Sequence, residues 1–301
     1  MSVATALGQF ANRQLAVLAA TLDSLLEGED AEAIHDLRVS TRRLQALLGV
    51  LATFPGGEAI RPLRRALRRL RSVLGEWRNC DVSLEAIAER RARAESPAET
   101  ASWERIEADL RRGRADALAE GRQRIRRTID KNLVGTITRA VEERLSAIRP
   151  SALRRAVDEQ IEKAWSRWTA CLQSAEQDPT VERIHALRIA TKRVRYAAEL
   201  ARDLARARTE AVLHWARAAQ KSLGDWHDKE ILHRAIAEAV ARPDLALEDP
   251  DATLAVLTIL ARERREAAPR DRNLVALALP EEALGAARKW RRPVRVNPQQ
   301  P

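Results

Sequence analysis

The sequence has little of what β-sheet proteins, metalloproteins and disulfide-stabilised proteins need. Its 301 residues include 11 glycines, 2 cysteines and only 3% aromatic residues, while Ala and Leu dominate a hydrophobic fraction of 45%. This composition favours long amphipathic helices over sheets. Cys80 and Cys171 show neither CxxC nor Cys/His spacing, which argues against a zinc site and a disulfide framework and suits a reducing cytoplasm. We therefore expect an all-α cytoplasmic protein.

Long apolar runs and phosphate-transfer motifs are also missing. No segment reaches the ~18 uninterrupted apolar residues of a membrane span, so no membrane insertion is expected. The N-terminal segment lacks a basic leader, and we interpret it as an amphipathic helix rather than a signal peptide. Neither a GxxxxGK[ST] loop nor a repeated acidic constellation for Mg²⁺ occurs. A phosphohydrolase is the weakest of the functions considered, and we expect no catalytic residues, no metal site and no cofactor.

Basic residues exceed acidic ones. The chain carries 53 Lys and Arg against 43 Asp and Glu, for a net charge of +10. Most of the bases are Arg, whose planar guanidinium suits phosphate oxygens. The charge predicts a polyanionic partner, although a composition rich in Arg and Ala is also typical of GC-rich genomes.

Prolines, glycines and Asp-Pro pairs divide the chain into helical stretches. Breaks are predicted at Pro55-Gly56-Gly57, Ser96-Pro97, Pro150, Asp178-Pro179, Pro243-Asp244, Asp249-Pro250 and Pro269. The stretches between them have helical periodicity. We expect helices joined by short turns.

Two motifs occur twice, in the same order and at the same spacing. IHDLRVSTRRL at 34–44 matches IHALRIATKRV at 184–194, and LGEWRNCD at 74–81 matches LGDWHDKE at 223–230. The repetition indicates an internal duplication. We predict repeat halves 1–149 and 150–301, each a bundle of about four helices whose two motif-bearing helices are antiparallel neighbours.

The first motif of each half has a cationic stripe opposite an apolar one. On a helical wheel, Leu37, Leu44, Leu48 and Leu51 oppose the stripe of the first half. The stripes consist of His35, Arg38 and Arg42 in the first half and of His185, Arg188, Lys192 and Arg195 in the second. Like charges one turn apart repel by a few tenths of a kcal/mol per pair, and few carboxylates lie among them. The stripes therefore favour an external anion over the alternative of a solvated helix face.

The second motif helices repeat this pattern. Arg64, Arg68, Arg71 and Arg78 lie in a narrow arc beside a leucine stripe, and Arg217 and Lys221 take the matching face in the second half. If the motif helices pack through their leucines, the basic faces border one groove in each half. Two such grooves about a pseudo-twofold axis would form a continuous cationic channel.

A flexible phosphate chain fits such a channel better than a duplex, because no recognition helix with base-reading residues is present. Single-stranded nucleic acid is the main alternative, since its electrostatics are nearly the same. It predicts stacking aromatics among the cations, and Tyr196 is the one aromatic residue in the stripes. Other anionic partners remain a third possibility, and the oligomeric state stays open.

At these motifs the sequence resembles the CHAD family, the conserved histidine α-helical domain. IHDLRVSTRR and IHALRIATKRVRY are similar to the family's His-x-x-Arg helices, and LGEWRNCDV and LGDWHD to its Leu-Gly segments. The resemblance implies two four-helix bundles about a pseudo-twofold axis, a basic central cavity, and binding of inorganic polyphosphate without catalysis. It also implies association with polyphosphate granules. No segment resembles the CYTH triphosphatase domain that accompanies many members.

The resemblance also implies which residues line the cavity. They are His35, Arg38, Arg42 and Arg43 from the first half, His185, Arg188, Lys192, Arg193 and Arg195 from the second, and Arg68, Arg71, Arg78, Arg217 and Lys221 from the Leu-Gly helices. Two positions depart from the pattern. Asn79 stands where the family has Asp, which puts a local salt bridge or cap in doubt. Gln45 stands where the second half has Arg195, so the first half offers one cation fewer.

The remaining polar and aromatic residues are interpreted as structural. Trp77 and Trp226 occupy matching positions and are expected in the core. Asp81 and Asp228 are expected to orient nearby arginines. His214, His227 and His233 are read as structural or rim residues, and the Arg-rich segment 111–127 as a solvated outer face.

Overall fold

The computed structural model describes residues 2–27, 31–204, 209–242 and 250–277. Within these ranges the chain forms α-helices and one 3₁₀ turn, without a β-strand, which confirms the all-α prediction. The helices are α1 (Val3–Glu27), α2 (Ala31–Leu51), α3 (Ile60–Ala92), α4 (Pro97–Thr128), α5 (Leu133–Ala147), α6 (Pro150–Gln177), α7 (Val181–Asp203), α8 (Thr209–Val240) and α9 (Pro250–Leu277). None of these helices combines the length and apolarity that a bilayer span requires.

Most helix ends coincide with the predicted breaks. Before α4, Ser96 Oγ accepts a hydrogen bond from the Glu99 amide at 3.1 Å, and Pro97 occupies the first turn. Thr180 caps α7 in the same way. Gly56 has a φ of 78°, a left-handed conformation that favours glycine, in the turn after α2. Pro150 begins α6, so a helix starts at the predicted boundary between the halves.

Two helix boundaries differ from the predictions. Pro269 lies inside α9, so the break predicted there is wrong; one missing backbone hydrogen bond does not end a helix of 28 residues. The break predicted at Pro243-Asp244 lies outside the described residues. Conversely, an unpredicted turn separates α4 from α5, where Asp130 Oδ1 accepts from the Asn132 amide at 2.8 Å. The described residues of the first half therefore form five α-helices rather than about four.

The motif-bearing helices pack against each other in both halves. α2 packs on α3 and α7 on α8, while α2 also contacts α7 and α3 contacts α8. The four leucines predicted on the apolar side of α2 are fully buried. One continuous hydrophobic core extends from Val3 in α1 to Trp226 in α8. The predicted halves thus share one core, a feature that the expectation of two bundles did not include.

A second, smaller core lies at the C-terminal end of α3. Ile87 of α3 packs there with Trp103 of α4, Ile236 of α8 and Val256 of α9. This core attaches α9 to the remaining helices.

A close approach between α3 and α4 fixes the position of α3. A Cβ atom on Gly121 would lie 2.6 Å from Trp77 Nε1 and 2.7 Å from a methyl carbon of Val73. Trp77 is buried, as predicted, and its Nε1 donates to the carbonyl of Ala117 at 2.9 Å. Trp226 is buried as well. The contact at Gly121 holds in place the helix that presents Arg71 and Arg78.

Candidate functional site

The basic faces of α2, α3 and α7 meet where α2 packs on α7. Arg38 and Arg42 of α2 lie within electrostatic reach of Arg188 and Lys192 of α7. Arg71 of α3 interacts with Arg42. We call these five half-buried residues the basic cluster. Cations that are about 150 residues apart in the sequence are neighbours in it.

Local contacts hold the guanidinium groups of α2 in place. Arg38 Nη1 donates to the carbonyl of Leu74 on α3 at 2.7 Å. A Cβ atom at Gly75 would lie 3.5 Å from the same nitrogen, which is an ordinary van der Waals contact, so this approach does not require glycine. Arg42 Nη1 lies 3.5 Å from the hydroxyl oxygen of Tyr196, a long contact at the limit of hydrogen bonding. The cluster is thus anchored to α3 and α7.

Burial and mutual repulsion lower the pKa values of the guanidinium groups in the basic cluster. Burial, followed by the charge of Arg42, lowers the pKa of Arg38 to about 10. The pKa of Arg188 also falls to about 10, first through burial, with Asp228 opposing and Arg42 reinforcing the change. Both guanidinium groups remain charged at neutral pH. Their mutual repulsion raises the free energy of the empty site, and a bound anion would lower it.

Lys192 responds most strongly to this environment. Burial lowers the pKa of its amine, and the charges of Arg42, Arg188 and Arg38 lower it further, to about 6, against a weaker opposing effect of Asp228. An ammonium group gives up its proton more readily than a guanidinium group. At neutral pH the Lys192 amine is therefore mostly uncharged.

Asp228 provides a negative charge beside the cluster. Burial alone would raise its pKa, but a hydrogen bond with His227 and the charges of Arg188 and Arg78 lower it. The ring nitrogen Nδ1 of His227 lies 3.2 Å from Asp228 Oδ1. One carboxylate faces several cations here, which leaves the site strongly positive.

The two motif histidines lie at the edge of the cluster. His185 stacks on His227 with ring centroids 5.4 Å apart, and its pKa is lowered by burial and then by His227 and Arg188. His35 lies at the surface, and partial desolvation by its neighbours lowers its pKa. Asp36 opposes this change, and the charges of Arg78 and Arg38 reinforce it. Both rings are neutral at physiological pH and can donate a hydrogen bond to an anion.

The donors of the site suit an anion with several oxygens. Arg188 Nε is buried and has no hydrogen-bond partner among the described residues. In the same part of the chain, no group of three or more His, Cys, Asp and Glu side chains could hold a metal ion. The arrangement therefore supplies hydrogen-bond donors and positive charge.

A sequence profile of the CHAD domain matches residues 9–237. The chain belongs to the CHAD family. The crystal structure of the CHAD domain from the plant Ricinus communis is 23% identical, covers 96% of this chain and 92% of its own, and superimposes with a TM-score of 0.70. PptA from Streptomyces chartreusis is 20% identical, with coverage of 92% and 99% and a TM-score of 0.66. No curated protein matches the chain. The structural likenesses show the CHAD fold.

Within this CHAD domain, three predicted binding residues are already paired with carboxylates, and one of them is Arg78, whose Nη1 lies 3.4 Å from Glu85 Oε1. Arg43 Nε donates to Glu199 at 2.7 Å, and Arg195 Nε donates to the other carboxylate oxygen of Glu199 at 2.8 Å. Glu199 is only 2% exposed, so it neutralises part of this charge inside the interface of α2 and α7. The binding roles of Arg43 and Arg195 stay predictions, and the contacts favour a supporting role for them.

The other predicted residues lie around the cluster. Burial, followed by the charge of Arg42, lowers the pKa of Arg71, and the exposed Arg68 and Arg193 lower it further. Arg78 acts on His35, Arg38 and Asp228. Arg217 and Lys221 are exposed on α8, where the neighbouring Gln220 accepts a hydrogen bond from Arg195 at 2.8 Å. The CHAD domain thus brings together ten of the fourteen predicted residues, and leaves Arg43, Arg195, Arg217 and Lys221 with other contacts or surroundings.

The role of Asp81 was predicted correctly, whereas Glu199 was missed. Asp81 orients an arginine as predicted, since it accepts from Arg114 Nε at 2.7 Å. That contact also makes Arg114 an exception to the predicted outer face at 111–127. Glu199 was missed, although its position four residues after Arg195 is a signal for an ion pair on one helix.

Proposed function

We propose that this CHAD domain binds inorganic polyphosphate on the basic cluster, without a chemical step. The observation that carries the proposal is the meeting of Arg38, Arg42, Arg188 and Lys192 from two distant motifs, with one nearby carboxylate. Repulsion among partly buried cations costs free energy, which a chain of phosphates offsets along its whole length. Linear polyphosphate supplies one charge or more per phosphate and no bases that need recognition.

We further infer that the cluster arose by internal duplication and lines a basic cavity. Positions of α2 and α7 that match in sequence also share surroundings: Arg38 and Arg188 both face Arg42, and His35 and His185 both flank the cluster. α2 packs on α7, and α3 on α8, as a pseudo-twofold arrangement requires. The matched surroundings support one continuous site that both halves contribute.

The environment of Tyr196 favours polyphosphate over single-stranded nucleic acid. Its side chain is buried, and the Arg195 guanidinium lies 5.6 Å from the ring centroid. Its ring therefore does not present a free face to a base. Because base stacking supplies much of the affinity of single-strand binders, a cluster without an open aromatic face is better suited to phosphates alone.

The absence of a catalytic step is part of the proposal. The basic cluster consists of four guanidinium groups and a mostly neutral amine, with two neutral histidines at its edge. Phosphoryl transfer to water would need a positioned nucleophile together with stabilisation of the leaving group. We expect polyphosphate incubated with the purified protein to keep its chain length, as measured by gel electrophoresis.

A competition titration tests the proposed function. Labelled long-chain polyphosphate is bound to the purified protein and challenged with single-stranded DNA, RNA and heparin at physiological salt. We expect polyphosphate to win by more than about tenfold, and binding to weaken steeply with salt, because counterions are released. Equal competition by nucleic acid would contradict the proposal.

A charge-matched pair of variants locates the site. Arg38→Glu with Arg188→Glu should abolish binding. Arg127→Glu with Arg167→Glu changes the net charge by the same amount at exposed positions, one in each half. This control variant should retain most of the polyphosphate binding. Similar losses in both variants would show that net charge alone attracts the polymer.

The cytoplasmic location and the association with polyphosphate granules stay predictions. Fluorescence imaging of the tagged protein in cells with and without polyphosphate would check both. The proposal expects granule association to disappear in the Arg38→Glu, Arg188→Glu variant.

A further inference from the structure

We propose that the basic cluster binds a polyphosphate chain together with a proton, which the Lys192 amine takes up when the anion arrives. The inference rests on the proposed function and adds a dependence of binding on pH. Its basis is the position of Lys192, which is half-buried on α7, one turn after Arg188 and one turn before Tyr196. The Tyr196 hydroxyl group lies 3.5 Å from Arg42 Nη1 of α2, so arginines of both predicted halves surround the amine. No other cluster member combines such crowding with an amine that can lose its proton near neutral pH.

Charged groups on three helices act on the Lys192 amine. α2 contributes Arg38 and Arg42, α7 contributes Arg188, and α8 contributes Asp228. The positive charges outweigh the single carboxylate. The result is an amine that is mostly neutral while the site is empty.

The remaining neighbouring helices contribute none of the charges that act most strongly on Lys192. α6 meets α7 through Trp168, whose Nε1 donates to Thr191 at 3.1 Å, and α1 reaches α7 through the ion pair of Arg13 and Asp203. Arg71 of α3 acts on the cluster through Arg42, and the pKa of His185 is itself lowered by Lys192, after burial, His227 and Arg188. The neutral amine therefore follows from the whole set of surrounding groups.

A bound phosphate chain reverses the balance. Its oxygens neutralise Arg38, Arg42 and Arg188, and they favour the ammonium form of Lys192 directly. The pKa of the amine is low in the empty site, at about 6, and rises in the complex. Between these two values the complex holds one proton more than the free protein. Affinity then falls by up to about tenfold for each unit of pH in that range.

Isothermal titration calorimetry measures this proton directly. Long-chain polyphosphate is titrated into the protein at pH 7.5 in several buffers of equal ionic strength and different ionisation enthalpy. The slope of the observed heat against the ionisation enthalpy gives the number of protons taken up. Lys192→Arg is the reference, since it keeps a permanent cation and cancels protons from the polymer or from other groups.

We expect the wild type to take up about one proton more per site than Lys192→Arg at pH 7.5. The difference should shrink at pH 5.5, where Lys192 is already mostly protonated in the empty site. Lys192→Arg should also bind tightly at pH 8, where the wild type has weakened. Equal proton uptake in the two proteins would overturn the inference and leave the proposed function standing. A wild type that does not bind polyphosphate at any pH would overturn the proposed function itself.

The histidines near the cluster provide a second measurement. His35→Gln with His185→Gln removes two groups that could also take up protons. We expect this variant to keep its pH dependence of affinity between pH 6 and 8, because Lys192 is intact. Loss of that dependence would assign the proton to the histidines and overturn the inference, even if Lys192→Arg failed to fold.

Discussion

The middle and the C-terminal part of α3 lie in opposite electrostatic environments. Arg71 and Arg78 near its middle face the basic cluster, whereas its C-terminal part faces carboxylates. There Asp81 pairs with Arg114 at 2.7 Å, and Arg90 pairs with Glu263 of α9 at 2.7 Å. We call the second environment, completed by Asp109 with Arg242 and His233 with Glu263, the distal ion-pair group. Arginines thus face like charges in the middle of α3 and join helices in its C-terminal part.

The pKa values record this difference. Burial alone would raise the pKa of Glu263, but hydrogen bonds with His233 and Arg90 lower it to about 2. Burial and like charges lower the pKa of Lys192 to about 6. In the distal group the folded state favours the charged forms, and in the basic cluster it disfavours them. The presence of a carboxylate partner therefore distinguishes arginines with a structural role from arginines that are available to a ligand. Net charge does not make this distinction.

A cavity in the distal region illustrates the same distinction. Its volume is about 560 Å³, and its lining includes Asn79, Cys80, Asp109 and Arg242. Asp109 accepts from Arg242 Nη1 at 2.7 Å, so these charges neutralise each other. The cavity lacks the unbalanced positive charge of the basic cluster.

The largest expected effect comes from the same charge change made in the two regions. Arg38→Glu with Arg188→Glu should weaken polyphosphate binding more than about 100-fold. Arg90→Glu with Arg242→Glu should keep affinity within about threefold but lose roughly 3 kcal/mol of unfolding free energy, because the half-buried Glu263 and the buried Asp109 each lose an arginine partner and meet a like charge instead. Binding titrations and urea denaturation measure the two quantities. A distal variant that loses affinity while it remains folded would remove the distinction.

A smaller effect is expected where α3 is fixed against α4. Gly121→Ala should lower the unfolding free energy by about 2 kcal/mol, because the added methyl group meets Trp77 and Val73. Gly113→Ala in the same helix is the control, since its Cβ atom meets nothing within 4 Å. The control should gain about 0.5–1 kcal/mol from better helix propensity. Equal changes in the two variants would contradict the close contact at Gly121.

Acid should destabilise the distal group. The folded pKa of Glu263 lies below its unfolded value of 4.5, so its contribution is complete above pH 4.5 and is lost as the pH falls towards 2. Glu263→Gln should cost about 1–2 kcal/mol at neutral pH, after allowance for solvent screening. Denaturation curves between pH 2 and 7 should show a weaker dependence on pH in the variant. Parallel curves for the two proteins would exclude this ion pair as a source of stability.

The last prediction is a small gain in stability at the basic cluster. Lys192→Met should raise the unfolding free energy by about 1 kcal/mol at neutral pH, since it removes an amine that the folded state cannot hold charged. Because the folded pKa of about 6 lies below the unfolded value of 10.5, the unfolded chain binds more protons between these values. Wild-type stability should therefore rise with pH across that range, and the variant should lack this rise. A destabilised variant would show that Lys192 contributes packing instead.

Helical periodicity and the repeated motifs predicted the central part of the site. They placed Arg38 and Arg42 opposite a leucine stripe, Arg71 beside another, and Arg188 and Lys192 on the matching basic face of the second half. In the structure these five residues are half-buried and the leucines opposite Arg38 and Arg42 are buried. A helical wheel depends only on the residue spacing along one chain segment, and the repeat supplied a second, independent copy. Sequence reasoning was least successful at Pro269, because loss of one hydrogen bond does not decide whether a long helix continues.

The local pattern of apolar and basic residues was sufficient to establish the helices, their buried faces and the identity of the cations. The packing of α2 on α7 determined which of those cations face one another, and Glu199 determined that Arg43 and Arg195 are paired. Electrostatic energy depends on distances and burial across the whole molecule, which the order of residues along one helix does not contain. The uncharged amine of Lys192 is therefore a property of the folded chain.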